Sequence, residues 1–99
     1  MPAYETTIMI STMTSRRRTV DLLKRAINHI IDDKGVVMGV YSLGTRALAY
    51  DIRRKQETHS TANFAIIKSY ASPQTMLETQ KQLRFDEDVL RFMTIKQSR

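Results

Sequence analysis

The middle of this chain is written in extended structure, and a helix-forming segment flanks it on each side. Val36–Ile52 is the longest extended run and Ala62–Tyr70 is a second. Between them Arg53–Thr61 is polar and charged, carries no apolar anchor, and is expected to be a mobile connection. Few topologies satisfy such an arrangement, because strand–helix–strand crossovers take one hand and connections do not cross each other.

Gly44 interrupts the longer run. A glycine within a strand pattern marks a bulge or a sharp bend, so the strand is expected to twist there and re-aim the residues beyond it. In an ideal strand Arg46, Leu48, Tyr50 and Ile52 share one side, and Ala47, Ala49 and Asp51 the other. Arg53-Arg54-Lys55 then supplies a cationic end, which is either a solvated hairpin end or a phosphate contact.

The flanking segments complete the pattern. Tyr4–Ile10 alternates, with Tyr4, Thr6, Ile8 and Ile10 on one side and Glu5, Thr7 and Met9 on the other, so it reads as a half-buried strand. Ser11–Ser15 is a turn, with Thr14 or Ser15 as N-cap. Arg16–Lys34 is predicted as a helix whose apolar face is Val20, Leu23, Ile27, Ile30 and Ile31, with Ala26 alongside; Gly35 stops it. Arg16-Arg17-Arg18 opens that helix and Asp32-Asp33 ends it, each at the end where the macrodipole disfavours its charge. The arginines are either a slightly unfavourable solvated surface or a seat for an external anion such as phosphate.

Ser72-Pro73 starts a second helix, Ser72 as N-cap and Pro73 at its first position. It runs to about Arg84, with Met76, Leu77, Gln80 and Leu83 inward. Phe85–Asp88 is an acidic, solvated turn, Val89–Lys96 a last strand, and residues 97–99 a short basic tail.

Strand, helix, strand, strand, helix, strand is the order of the α+β ferredoxin-like split βαβ sandwich: a four-stranded antiparallel sheet with two helices on one face. At 99 residues one domain is expected, spanning residues 1–99. A sheet covered on one side should alternate cleanly between apolar and polar. Here Phe64 and Ile66 oppose Ala65 and Ile67, and Phe92 opposes Met93 and Ile95. The helix-free face is therefore expected to carry apolar surface that a partner protein or stacked bases would cover, unless twist and bulging blur the alternation.

A net charge of +6 and an isoelectric point near 10.0 favour polyanionic partners. No cysteine is present, which removes disulfides, thiolate metal sites and a cysteine nucleophile. His29 and His59 have no second ligand at a metal spacing in the sequence, the three glycines are scattered, and no catalytic carboxylate pair stands out. No cofactor, metal or catalytic residue is expected. No apolar run approaches the about 20 residues that span a bilayer. The N-terminus has no cleavable address, so the chain either needs none or is already mature.

Two binding classes remain. One is a free-standing domain of the RNA-recognition-motif kind, which shares this topology and stacks single-stranded RNA on its central strands; Thr61–Ile67 does not match its third-strand fingerprint. The other is a structural protein that docks on folded RNA by charge while its sheet holds a protein. Small enzymes such as acylphosphatases use the same fold, but no site for them is visible.

Leu43-Gly44-Thr45-Arg46-Ala47-Leu48-Ala49-Tyr50-Asp51-Ile52 closely resembles a leucine-glycine-x-arginine-x-leucine-alanine-tyrosine-x-isoleucine signature. With Tyr4-Glu5 opening the chain and Val89–Met93 near its end, it resembles the bacterial-type small-subunit ribosomal protein S-six family over essentially Tyr4 to Lys96. The resemblance implies a domain without enzymatic activity. It implies that the protein binds small-subunit rRNA, in the central domain or platform, as a heterodimer with ribosomal protein S-eighteen and among other small-subunit ribosomal proteins. By that match Tyr4, Leu48 and Tyr50, with Phe64 added by spacing, are candidate partner contacts. Arg16, Arg17, Arg18, Arg46, Arg53, Arg54, Lys55, Arg91 and Lys96 are candidate RNA contacts. Family members often carry a second basic residue where this chain has Ala47. The basic charge and divergent loops fit a mitochondrial ribosome, with the plastid or bacterial cytoplasm as alternatives.

Overall fold

The computed structural model describes residues 1–97; residues 98 and 99, the end of the expected basic tail, lie outside the described residues. The alternation of the first strand is realised residue by residue. In β1 (Ala3–Ile10), Tyr4, Thr6, Ile8 and Ile10 are buried and the residues between them are half-buried. β1 lies between β3 (Glu57–Tyr70) and β4 (Val89–Lys96), and β2 (Val36–Arg54) pairs with the outer edge of β3. All pairings are antiparallel and the order is β2-β3-β1-β4. With both helices packed on one face, this is the expected ferredoxin-like sandwich.

The helices follow their capping residues. α1 (Arg16–Asp32) is capped by Ser15, whose Oγ accepts from the Arg18 N–H at 3.2 Å. α2 (Pro73–Phe85) is capped by Ser72, which accepts from the Thr75 N–H at 3.2 Å, with Pro73 at its start. The inner faces are rotated from the expected ones. α1 buries Leu22, Ala26 and Ile30, while Leu23 and Ile27 flank them and Val20 and Ile31 are exposed. α2 buries Thr75, Met76, Thr79 and Leu83, and Leu77 is exposed. The two threonines replace apolar residues at no hydrogen-bonding cost. Thr79 Oγ1 donates to the Thr75 carbonyl at 2.9 Å and Thr75 Oγ1 to Asp33 at 3.1 Å.

The main core unites these faces with Tyr4, Ile8, Ile10, Ile67, Ala71 and Val89. Each fully buried isoleucine contributes about 1.5–3 kcal/mol of transfer free energy. A smaller cluster of Ile52, Ala62 and Leu90, with Met9, Leu48 and Phe64 against it, lies under the far end of β2.

The expected mobile connection does not exist. β2 and β3 run on through Ile52↔His59, Arg53↔Thr58 and Arg54↔Glu57, and only Lys55 and Gln56 turn the chain. Both have positive φ, 51° and 67°, as a two-residue type I′ turn requires. Neither is the glycine or asparagine that advertises such a turn, which is why the sequence conceals it. Ile52 supplies the apolar anchor from just outside the polar stretch. The bend at Gly44 is where it was expected: its φ is 78° and the register slips between Ser42 and Gly44.

The end of α1 divides two tasks between two residues. Lys34, at φ 69°, takes the left-handed position. The Lys34 N–H then donates to the Ile31 carbonyl at 3.0 Å and the Gly35 N–H to the Ile30 carbonyl at 2.8 Å, a Schellman closure. Gly35 is needed for close approach: a Cβ there would meet Ile30 Cγ2 at 2.6 Å and the Ile30 and Tyr70 carbonyl oxygens at 2.8 and 2.9 Å. Replacing Gly35 by Ala should therefore cost about 1–3 kcal/mol in denaturant unfolding. Lys34→Gly should add about 1 kcal/mol by relieving the left-handed backbone. If the two substitutions have equal and small effects, this division of tasks is wrong.

Candidate RNA and partner interface

Strand parity decides what the helix-free face presents. The register aligns side chains across it in rows: Gly44, Phe64, Met9 and Arg91; then Tyr41, Ile66, Thr7 and Met93; then Gly39, Lys68, Glu5 and Ile95; then Val36, Tyr70 and Ala3. Val36, Tyr41, Tyr70, Met93 and Ile95 are exposed, and Met9, Phe64 and Ile66 are half-buried. One polar pair interrupts the stripe: Lys68 lies 3.9 Å from Glu5, with its ammonium 5.4 Å from the Tyr41 ring centroid. An apolar stripe of this kind marks an interaction surface.

Of the expected partner contacts, Phe64 lies on this face and Leu48 and Tyr50 lie at its end. Ala47 pairs with Thr61 and Ile52 with His59, so Leu48–Asp51 stands opposite Ser60 alone. The bulge breaks the ideal alternation. Leu48 turns in against the smaller cluster, and Tyr50 projects with 85% of its surface exposed. Tyr4 must be corrected. It shares the parity of Ile8, is only 9% exposed, and packs in the main core beneath the helices, so it is not on the helix-free face. Tyr41, Tyr70, Met93 and Ile95 share this face with Phe64; the alternation Phe64, Ile66, Tyr70 within β3 and Met93, Ile95 within β4 carries the signal for all but Tyr41.

The candidate RNA contacts separate into two groups. The acidic turn, expected to be solvated, holds three cations: Arg25 to Asp86 at 2.7 Å, Lys55 to Glu87 at 2.7 Å and Arg18 to Asp88 at 3.0 Å. Arg54 reaches the end of α2, donating to the Arg84 carbonyl at 3.0 Å and the Asp86 carbonyl at 3.2 Å. Arg18, Arg54 and Lys55 are thus engaged within the chain: Arg54 and Lys55 pin the β2–β3 hairpin, and Arg18 the start of α1, to the α2–β4 turn. Arg16, Arg17, Arg46, Arg53, Arg91 and Lys96 are exposed and make no ion pair among the described residues. Arg46 Nε donates to the Leu43 carbonyl at 3.3 Å across the Gly44 bulge. Arg16 lines the groove between α1 and β2 that passes Ser42 and Gly44. Arg91 occupies the same row as Gly44 and Phe64. Arg46 and Arg91 therefore stand on the two edge strands at the same end of the sheet, with Arg16 on its helical side, while Lys96 sits at the opposite end, across from Tyr4.

Glu87 reports on the hairpin latch. Its hydrogen bond from Lys55, then the Lys55 charge, hold its carboxyl below the ordinary glutamate value of 4.5. A depressed folded value means that the pair favours the fold above the unfolded pKa and stops doing so as pH falls through the folded one. By NMR titration, the Glu87 midpoint should lie below 4.5 and rise toward it in Lys55→Gln. An unmoved midpoint would show that the pair does not form in solution.

Among the described residues no helix is long and apolar enough to cross a membrane. The sequence profile described as "Ribosomal protein S6" matches residues 3–96. The small ribosomal subunit protein bS6 of Acidothermus cellulolyticus is 32% identical over 96 residues, covering 97% of this chain and 96% of that one. The bS6m protein of Mus musculus is also 32% identical over 96 residues, covering 97% and 76%. The crystal structure of ribosomal protein S6 from Thermotoga maritima superposes with a TM-score of 0.86 at 21% identity, covering 97% of this chain and 87% of that one, and so shares the fold. An open apolar sheet face with unpaired arginines on both of its edge strands thus sits in a chain that belongs to the ribosomal protein S6 family, non-enzymatic structural proteins of the small ribosomal subunit.

Proposed function

We propose that this protein binds small-subunit rRNA in the central domain, the platform, jointly with ribosomal protein S-eighteen. One adjacency carries the reading: an exposed apolar stripe on the helix-free face ends at the row from Gly44 to Arg91, with Arg46 at the bulge on one edge strand, Arg91 on the other and Arg16 on the helical side, none making an ion pair among the described residues. The two surfaces suit two partners. Apolar and aromatic side chains in a row bury against protein, with Tyr50 and Tyr41 as rigid anchors. Arginines neutralise phosphates and release counterions, which positions the protein on folded RNA without reading sequence. Arg17, Arg53 and Lys96 are accessory phosphate contacts in this reading. Arg54 and Lys55 support it indirectly, by holding the hairpin to the α2–β4 turn, and Arg18 by holding α1 to the same turn.

We assign it to a mitochondrial ribosome. The +6 charge and the divergent loops support this; the mitochondrial relatives from mouse and cattle, at 32% and 29% identity over 97% of the chain, stand level with the bacterial ones and favour neither compartment. Fractionating the source cells tests it: small subunits from the organelle should contain the protein, and recovery only with cytoplasmic ribosomes would overturn it.

Two measurements separate the surfaces. Tyr50→Ala should weaken association with the protein partner by about 2 kcal/mol or more and change folding stability by less than about 0.5 kcal/mol. Unchanged association removes Tyr50 from the interface. Replacing Arg46 and Arg91 by Ala should flatten the dependence of log affinity for rRNA on log salt by up to about 0.9 per lost phosphate contact. Lys55→Ala should leave that slope alone. A slope that falls equally in Lys55→Ala would mean that the latch opens to RNA.

A further inference from the structure

We infer that the helical face carries a site for one divalent cation of the zinc class, built from His29, Asp33 and Glu78. His29 lies in the last turn of α1 and Asp33 is its C-cap, four residues on; Glu78 comes from α2. One nitrogen and two carboxylate oxygens converge there, all within 4.8 Å of one another. Bonds of about 2.0–2.2 Å from a central ion to such atoms need only small side-chain rotations from that spacing.

Three further observations point to a cation. First, His29 Nε2 is buried and has no hydrogen-bond partner among the described residues; a buried ring nitrogen without a partner calls for an explanation such as an ion. Second, neither Asp33 nor Glu78 forms an ion pair among the described residues, so no side-chain cation of the described chain occupies the place between the two carboxylates. Third, Asp33 sits at the carbonyl end of α1, where the dipole adds negative potential and favours a cation. The Asp32-Asp33 pair was the charge placement that RNA and partner binding left unexplained.

The donor set selects the class. An imidazole nitrogen with two carboxylates suits zinc and its first-row neighbours, with water completing the shell. Magnesium and calcium prefer all-oxygen sites. Thr75 Oγ1 donates to Asp33 at 3.1 Å and would orient that carboxylate, the usual role of an outer hydrogen bond to a ligand. The ion would tie the end of α1 to α2, on the opposite side of the sheet from the apolar stripe, so its role is to brace the fold.

The chain's histidine count makes the test clean, since only His29 and His59 can respond. The EDTA-stripped protein is titrated with zinc chloride by calorimetry, with the imidazole signals followed by NMR. One equivalent should bind, the His29 signals alone should shift, and the thermal midpoint should rise. Glu78→Gln, at an exposed position, should weaken binding tenfold or more, and His59→Ala should leave it unchanged. The site is overturned by an absence of binding up to millimolar zinc, by shifts at His59 instead of His29, or by affinity that Glu78→Gln leaves intact. His29→Ala, checked for folding by circular dichroism, should abolish the rise in midpoint; a rise that persists in that folded variant also overturns it.

Discussion

The parity of β1 divides this molecule. As the central strand between β3 and β4, it sends Tyr4, Thr6, Ile8 and Ile10 under the helices and leaves Glu5, Thr7 and Met9 on the other face. A one-residue slip would exchange the two sets, exposing the isoleucines and burying a glutamate. The fully buried Ile8 and Ile10 make such a slip costly. Through the register they also settle the parity of both neighbours, so that Phe64 and Ile66 of β3 and Met93 and Ile95 of β4 must lie on the helix-free face. The apolar stripe is thus a consequence of core packing on the opposite side of the sheet.

Charge placement obeys a second constraint, the need to hold a long hairpin whose turn is intrinsically unfavourable. Lys55 and Gln56 both adopt positive φ without being glycine or asparagine. The strain is offset by Arg54 reaching the carbonyls at the end of α2 and by Lys55 meeting Glu87. The exposed pairs are individually weak. Their effect here is positional, because they join segments far apart in sequence at one corner. Arg18, Arg25, Arg54 and Lys55 are engaged at that corner, while the exposed Arg16, Arg17, Arg46, Arg53 and Arg91 are left without ion pairs among the described residues, spread over α1, β2 and β4.

The order of elements, the caps at Ser15 and Ser72, the alternation of β1 and the bend at Gly44 were legible because each rests on a local rule that tertiary packing did not overrule. The helix faces were legible only to within about one residue of rotation: a period of 3.6 cannot say which of the adjacent Leu22 and Leu23 points inward, and Thr75 and Thr79 look polar until their hydroxyls are seen bonded within α1 and α2. The hairpin was hidden because its anchors, Ile52 and the acidic turn, lie outside the segment that looks like a loop. For the candidate interface, residue type pointed correctly to arginine and aromatics. It could not separate Arg18, Arg54 and Lys55 from Arg16, Arg46 and Arg91, since ion pairing with residues 86–88 is a long-range fact.

The signature Gly44–Ile52 shows why a family pattern can outlast the ideal geometry that seems to explain it. Read as a strand, it puts Arg46, Leu48, Tyr50 and Ile52 on one side. The register break between Ala47 and Ile52 undoes that equivalence. Leu48 and Ile52 are turned into the smaller cluster, and Tyr50 is released outward from between them. The alternation of leucine, tyrosine and isoleucine thus encodes a bulge with one projecting ring, anchored by the half-buried Leu48 on one side and the buried Ile52 on the other. That arrangement anchors the backbone on either side of an exposed tyrosine whose ring has no core contact of its own. A partner that took up this ring would have only its side chain to order, which lowers the ordering cost of association. Ala47, at the step before the wide bulge, pairs with Thr61 and leaves Arg46 as the lone cation of that stretch of β2. The other two exposed arginines at this end of the sheet, Arg16 and Arg91, belong to α1 and β4, so the exposed cations here are brought in by the fold from three separate elements.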